Sequence, residues 1–101
     1  MELIIRRRAA YAIQEVFAHL EGDEPGLGFE FLHCVEAACA AIERSPLTHP
    51  KYYLDFHKYY LRRFPYALYY LIGDSSISLA VVFHSKRDPR ELYALLEDEL
   101  H

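Results

Sequence analysis

Apolar side chains follow a helical period in the first half of the chain. Between about residues 8 and 20, and again between about residues 27 and 44, they recur at the i, i+3, i+4, i+7 spacing that lines one face of a helix. Residues 21–26 contain two glycines and a proline and stop the first helix. Pro46 ends the second helix, because the residue before a proline disfavours helical backbone. The short connection predicts an antiparallel helical hairpin.

After Pro50 the period of the apolar positions becomes that of strands. Residues 51–57 and 58–63 are rich in Tyr, Phe and Leu and predict one or two strands, and residues 66–72 predict another. The clearest strand covers residues 77–84, where Ile77, Leu79, Val81 and Phe83 are predicted to share one face. Residues 73–76 are a predicted turn, so the last two strands pair as a hairpin. Residues 2–6 predict a first, short strand.

A short helix is predicted at the end of the chain. Asp88 suits the N-cap, Pro89 the first helical position and Glu91 the third. The helix is acidic on one side, and it either packs as an ordinary terminal helix or folds over a basic face of the sheet. Its apolar side carries four leucines at helical spacing: Leu92, Leu95, Leu96 and Leu100.

These elements predict an α+β fold in which an antiparallel sheet packs against an N-terminal helical hairpin, in the order β-α-α-β-β-β, with a short C-terminal helix. The 101 residues suit one domain, residues 1–101, and 52% of them are hydrophobic, enough for one core. No apolar stretch reaches the roughly 18 residues that a membrane helix needs. We therefore expect a cytoplasmic protein that is not bound to a membrane.

Charge is unevenly distributed along the chain. Residues 1–50 carry four basic and eight acidic side chains, residues 51–90 carry seven basic and three acidic ones, and residues 91–101 carry four acids and no Lys or Arg. The net charge of −4 therefore conceals a segment of +4 between two segments of −4. A basic middle segment predicts a positive surface that could meet an anionic partner.

The cysteines and histidines do not indicate a metal or a cofactor. Cys34 and Cys39 lie about 140° apart around the second predicted helix, so they are expected to be separate, buried or half-buried residues. Five of the six histidines show no spacing typical of a metal site: His19, His33, His49, His57 and His101. The sixth, His84, ends the last predicted strand, next to Lys86 and Arg87.

Three segments resemble the RelE/ParE superfamily of bacterial toxins. Residues 61–70 read LRRFPYALYY, which is similar to the family's RFPY-x-x-Y-Y stretch. Residues 77–89 read ISLAVVFHSKRDP, which resembles its last strand with a following His, basic residues and Asp-Pro. The PGLG-x-x-F opening at residues 25–31 and the I-x-x-x-P close at residues 42–46 are similar to its second helix. The segments follow one another in the family's order.

The resemblance implies the toxin of a type II toxin–antitoxin module, involved in plasmid stabilisation and growth inhibition. It implies a cognate antitoxin as partner. The implied assembly is either a homodimer of the chain or a hetero-oligomer of toxin and antitoxin. ParE-like members block DNA gyrase, whereas RelE-like members cleave ribosome-bound mRNA. The pI of about 5.8 favours a protein target, because proteins that bind ribosomal RNA depend on positive charge. The alternatives are the ribonuclease and a degenerate, non-toxic member.

Catalysis is expected only if the chain is a nuclease. His84 could then move protons near neutral pH, Lys58 could act as a base, and Arg87 could contact the phosphate. The competing interpretation is that His84 is a hydrogen-bonded residue at a strand end and that the basic residues are the solvated side of the sheet. Six basic residues are the candidates for binding a partner or a nucleic acid: Lys58, Arg62, Arg63, Lys86, Arg87 and Arg90.

Overall fold

Five strands and three helices make up residues 1–100, the part of the chain that this computed structural model describes; His101 lies outside it. The predicted α+β fold is confirmed, with one more strand after the helical hairpin than the predicted order contains. In chain order the elements are β1 (Glu2–Ile5), α1 (Arg7–Asp23), α2 (Leu27–Arg44), β2 (Lys51–Tyr53), β3 (Phe56–Tyr60), β4 (Tyr66–Ile72), β5 (Ser76–His84) and α3 (Pro89–Asp98).

The strands form one mixed sheet in the order β1-β5-β4-β3-β2. Four of these strands are antiparallel meander neighbours, as predicted, but β1 pairs in parallel with β5. Tight turns force consecutive strands to alternate in direction, whereas β1 and β5 are joined through the whole rest of the chain and escape that restriction. The hairpin α1–α2 covers one face of the sheet and α3 packs on the other.

The segment 51–63 folds as two strands joined by a tight turn at Leu54 and Asp55. Leu54 has a φ of 51°, in the left-handed region that a non-glycine residue rarely adopts. The second strand covers Phe56–Tyr60. The predicted strand over residues 58–63 therefore begins too late in the chain and extends too far at its C-terminal end. Residues 61–65 instead form the loop that carries Arg62 and Arg63.

A β-bulge in β5 changes which residues share a face. Val81 pairs with Tyr69 and Leu79 pairs with Tyr70, so Ala80 has no partner on β4. The extra residue reverses the alternation, because two neighbouring residues then stand against one on the partner strand. Leu79 faces the hairpin, whereas Val81 lies in the core under α3. The predicted single face through Val81 and Phe83 is therefore wrong beyond the bulge.

Each face of the sheet has its own hydrophobic core. Between the sheet and the hairpin the largest fully buried side chains include Phe31, Ile42 and Tyr70. Between the sheet and α3 the core contains Phe56 and Phe83 of the sheet and two leucines of α3, Leu92 and Leu96. The helix α3 is thus an integral layer of the fold, and its predicted N-cap is confirmed, since Asp88 accepts a hydrogen bond from the Arg90 N–H.

Candidate functional site

The basic segment 51–90 is divided by the fold among three places. His84, Lys86 and Arg87 line a cavity between α1 and the end of β5. Arg62 and Arg63 line a second cavity, between α2 and β3, together with Lys58. The remaining basic side chains lie elsewhere, so the charge of the segment does not form one continuous positive face.

The first of these, the α1–β5 cavity, has a volume of about 350 Å³. The His84 ring lies edge-on to the Tyr66 ring, with 4.9 Å between the ring centroids. The backbone N–H of Lys86 donates to His84 Nδ1 at 3.0 Å, which leaves Nε2 as the ring nitrogen for other contacts. The α1 wall contributes Ala12, Glu15 and Val16. An acid, an imidazole, a phenol and two cations therefore meet at one opening.

Arg87 links this cavity to α3. Its Nη2 lies 2.5 Å from Glu91 Oε2, and its guanidinium stands 4.6 Å from the centre of the Phe83 ring. Burial raises the pKa of Tyr66, and the positive charge of Arg87 opposes that rise. Tyr66 is therefore a neutral hydrogen-bond donor at physiological pH, next to His84.

The second, the α2–β3 cavity, has a volume of about 610 Å³. Glu30 of α2 pairs with Arg63, with 3.0 Å between Oε2 and Nη2. Arg62 makes no ion pair and no hydrogen bond through its side chain within residues 1–100. The His49 ring packs on the Tyr59 ring, and its Nδ1 is buried without a hydrogen-bond partner in the described part of the chain.

Lys58 lies on the opposite face of the sheet from His84. Its register partner is Tyr69, whose side chain belongs to the core under α3. The Lys58 ammonium stands 4.6 Å from the centre of the Tyr52 ring and 6.0 Å from that of Tyr69. His84 pairs with Tyr66, on the hairpin side. The structure therefore brings His84 and Arg87 together and keeps Lys58 apart from them.

The sixth basic candidate, Arg90, lies on the surface in the first turn of α3. Its guanidinium contacts the Asp88 carboxylate at 2.8 Å, and 88% of its side chain is exposed. These hydrogen bonds hold the pKa of Asp88 below its usual range. Arg90 therefore supports the cap of α3 and lines neither of the cavities described above.

A solved structure with the same architecture is a chain of the chromosomal ParDE TA system from P. aeruginosa. It is 13% identical to this chain, with a TM-score of 0.76, and the match covers 85% of this chain and 97% of that one. The comparison supports the predicted fold, which the two chains share. At this identity the likeness concerns the fold alone. No family model and no curated protein matches the sequence.

Sequence reasoning missed three polar residues that line the two cavities. Glu15 lies on α1, Tyr66 begins β4 and His49 lies in the loop before β2. Glu15 precedes the core-facing Val16, and that position at the edge of an apolar stripe was a usable signal. His49 and Tyr66 gave no such signal, because their roles depend on contacts with residues distant in the sequence.

The acidic helix α3 does not lie over the basic cavities. Leu92 and Leu96 are buried against the sheet, as an ordinary terminal helix requires. Its C-terminal acids contact the N-terminal arginines instead: Arg8 Nη2 lies 2.8 Å from Asp98 Oδ2, and Arg6 Nη1 donates to the Glu99 carbonyl at 2.5 Å. Glu91 alone reaches a basic candidate, Arg87.

The described residues offer no place for a metal ion or a membrane span. Within residues 1–100 no three His, Cys, Asp or Glu side chains are grouped so that they could hold a metal. No helix in that range is long and apolar enough to cross a bilayer. Cys34 and Cys39 are free and half-buried, and burial with the nearby Glu43 raises the pKa of Cys39 to about 11. The Cys39 thiol is therefore protonated and unreactive near neutral pH.

Proposed function

We propose that this chain is the toxin of a type II toxin–antitoxin module and that it inhibits DNA gyrase without catalysis. The observation that carries the proposal is the likeness of nearly the whole fold to a chain of a ParDE TA system. The net charge of −4 supports a protein target over ribosomal RNA. The separation of Lys58 from His84 supports a role without catalysis, since a base and an acid must act on the same phosphodiester.

Growth and supercoiling assays test this proposal. Expression of the chain is expected to arrest growth, and the purified protein is expected to inhibit supercoiling by purified gyrase in proportion to its concentration. His84→Ala should retain inhibition, because no proton transfer is involved. Absence of inhibition at large molar excess over gyrase would exclude this target, and absence of growth arrest would support a degenerate member.

Ribosome-dependent cleavage of mRNA is the second candidate function. The α1–β5 cavity favours it, because Glu15, His84 and Arg87 together could supply an acid, a base and a phosphate contact. A cell-free translation reaction followed by primer extension separates the two functions. Intact message is expected for a gyrase inhibitor, whereas truncated message that disappears with His84→Ala would establish the nuclease.

A cognate antitoxin is the proposed partner, in a toxin–antitoxin hetero-oligomer in the cytoplasm, and the single domain of residues 1–101 is the proposed toxin unit. Co-expression of the reading frame next to this gene is expected to restore growth and to yield a complex of the two proteins. Growth arrest that persists when that product is co-expressed would contradict the proposal. The residues proposed to contact the partner are Lys58, Arg62, Arg63, Lys86, Arg87 and Arg90.

A further inference from the structure

Four tyrosines meet between the edge strand β2 and α3 and form the tyrosine cluster: Tyr52, Tyr53, Tyr69 and Tyr93. Tyr93 stacks on Tyr53, with 4.5 Å between the ring centroids and 30° between the ring planes. Tyr52 contacts Tyr69, with 5.6 Å between the centroids, and 42% of Tyr52 remains exposed. The face of an aromatic ring is negative and attracts cations. The tyrosine cluster is therefore a surface that suits a positively charged group.

A second β-bulge turns two consecutive tyrosines towards α3. Tyr52 is the extra residue of this bulge and has no partner on β3, because its two neighbours pair with consecutive β3 residues. Successive residues of a regular strand point to opposite faces, and an extra residue interrupts that alternation. Tyr53 packs against the core under α3, and Tyr52 contacts Tyr69 of the same core. The bulge therefore places both side chains on one face of the sheet.

Glu97 lies beside the tyrosine cluster and has no ionic partner within residues 1–100. The other acids of α3, Glu91 and Asp98, each pair with an arginine. Glu97 instead accepts a hydrogen bond from the Tyr53 hydroxyl, with 2.5 Å between the hydroxyl oxygen and Oε1. Its Oε2 receives no hydrogen bond from the described part of the chain. The charge of this carboxylate is therefore available to a cation from another molecule.

Lys58 shows within the chain how the tyrosine cluster receives a cation. Its ammonium stands 4.6 Å from the centre of the Tyr52 ring. At the other end of the cluster, Tyr93 and Glu97 lie four residues apart on α3 and so share one side of the helix. A guanidinium suits this pair best, because it is planar, stacks on aromatic rings and donates hydrogen bonds to carboxylates. The geometry therefore favours arginine as the side chain that this end accepts.

We propose that the tyrosine cluster and Glu97 bind an arginine side chain of a protein partner, with the guanidinium stacked on Tyr93 and paired with the Glu97 carboxylate. A single-stranded nucleic acid could also stack on tyrosines, but Glu97 and the net charge of −4 would repel its phosphates. The assignment goes beyond the proposed function, because it holds whichever target the toxin has. It adds an acidic contact site to the basic partner contacts.

A titration of the full chain, followed by heteronuclear NMR, tests the assignment. The probe is a blocked peptide of alternating glycine and arginine, and the other arms are its citrulline counterpart and oligouridylate. The arginine peptide is expected to shift the amide signals of β2 and of α3 near Tyr93. Glu97→Gln is expected to weaken its binding about fivefold, because the ion pair is lost while the acceptor for the Tyr53 hydroxyl remains. Tyr93→Leu should weaken it about threefold, because the ring face is lost.

The matched control is Glu36→Gln, which removes the same charge from an exposed glutamate of α2 that makes no ion pair within residues 1–100. Equal losses in Glu97→Gln and Glu36→Gln would overturn the assignment, because only the overall charge would then matter. Equal binding of the citrulline peptide, tighter binding of oligouridylate, or shifts confined to other surfaces would also overturn it. The titration does not depend on toxicity, so its failure is distinguishable from a negative supercoiling assay. A thermal melt verifies that each variant folds.

Discussion

Gly28 sits where the two helices of the hairpin approach most closely. A Cβ built on Gly28 would lie 2.7 Å from the Phe17 carbonyl oxygen and 2.8 Å from Phe17 Cδ1. Real Cβ atoms do not approach backbone oxygen so closely, and the oxygen cannot move without shifting α1. We expect Gly28→Ala to lower the free energy of unfolding by about 1–3 kcal/mol, through overpacking. Chemical denaturation monitored by circular dichroism measures the change.

Gly22 is the matched control, because it also lies in a helix but has nothing within 4 Å of the built Cβ. Gly22→Ala is expected to raise the free energy of unfolding by about 0.5–1 kcal/mol, since alanine restricts the unfolded chain more than glycine does. The two identical substitutions should therefore act in opposite directions. A stabilising Gly28→Ala would show that the hairpin can open at that contact without cost.

Asp88 makes the stability of α3 depend on pH in the acidic range. Hydrogen bonds from the Arg90 side chain and backbone N–H hold the pKa of Asp88 below its usual range. A lowered pKa means that the carboxylate contributes its stabilisation above the usual aspartate pKa and loses it as pH falls through the folded-state pKa. Asp88→Asn should therefore destabilise the chain near neutral pH, with a difference that shrinks towards about pH 2. A difference that stays constant over that range would contradict the assignment.

The bulge at Ala80 decides the two-sided packing of β5. It lets Leu79 face the hairpin while Val81 and Phe83 face α3. Deletion of Ala80 would remove the bulge and keep every other side chain on its native face, because Leu79 would still stand opposite Tyr70 and Val81 opposite Tyr69. We expect the deletion variant to keep a cooperative thermal transition, at a lower midpoint because the buried Ala80 side chain is lost. Ala80→Gly keeps the residue count and should cost about 1 kcal/mol, with the transition preserved. Loss of the cooperative transition in the deletion variant would contradict the assignment of Ala80 as the extra residue.

Most elements could be predicted from spacing, and their boundaries could be predicted where a local signal marks them. The Pro46 stop and the cap of α3 at Asp88 are local interactions, so sequence reasoning located them correctly. The turn at Leu54 contains no glycine, so the division between β2 and β3 had no signal in the sequence. The bulge could not be predicted either, because it is defined by the pairing of β5 with β4.

At the scale of the whole molecule, the two ends of the chain are held together by the terminal clamp, formed by Arg6, Arg8, Asp98 and Glu99. Arg8 contacts both acids, at 2.8 Å to Asp98 and 3.2 Å to Glu99. The arginines also donate hydrogen bonds to carbonyls at the C-terminal end of α3. A positive charge at this end stabilises a helix, because the helix dipole is negative there. No basic residue of α3 itself does this in its last turn. The clamp therefore stabilises α3 from outside the helix.

Removal of the terminal clamp is expected to loosen α3 ahead of the sheet. Each half-exposed pair contributes at most about 1 kcal/mol, so the double variant Arg6→Gln, Arg8→Gln should speed amide hydrogen exchange in α3 about tenfold. High salt should have a similar effect on the parent chain, by screening. Lys51→Gln, which breaks the exposed pair with Asp55, is the control and should leave α3 unchanged. Unchanged exchange in α3 after removal of the clamp would contradict this account.

Spacing and residue type were enough to predict the helical hairpin, the hairpin of the last two strands and the capped terminal helix. These elements follow from contacts between near neighbours in the chain, and the resemblance to a toxin family rests on short motifs within them. The fold was needed to show that β1 joins β5, that α3 covers the second face, and that Lys58 and His84 lie on opposite faces. Those outcomes depend on strand order and register, which arise from contacts between residues far apart in the chain.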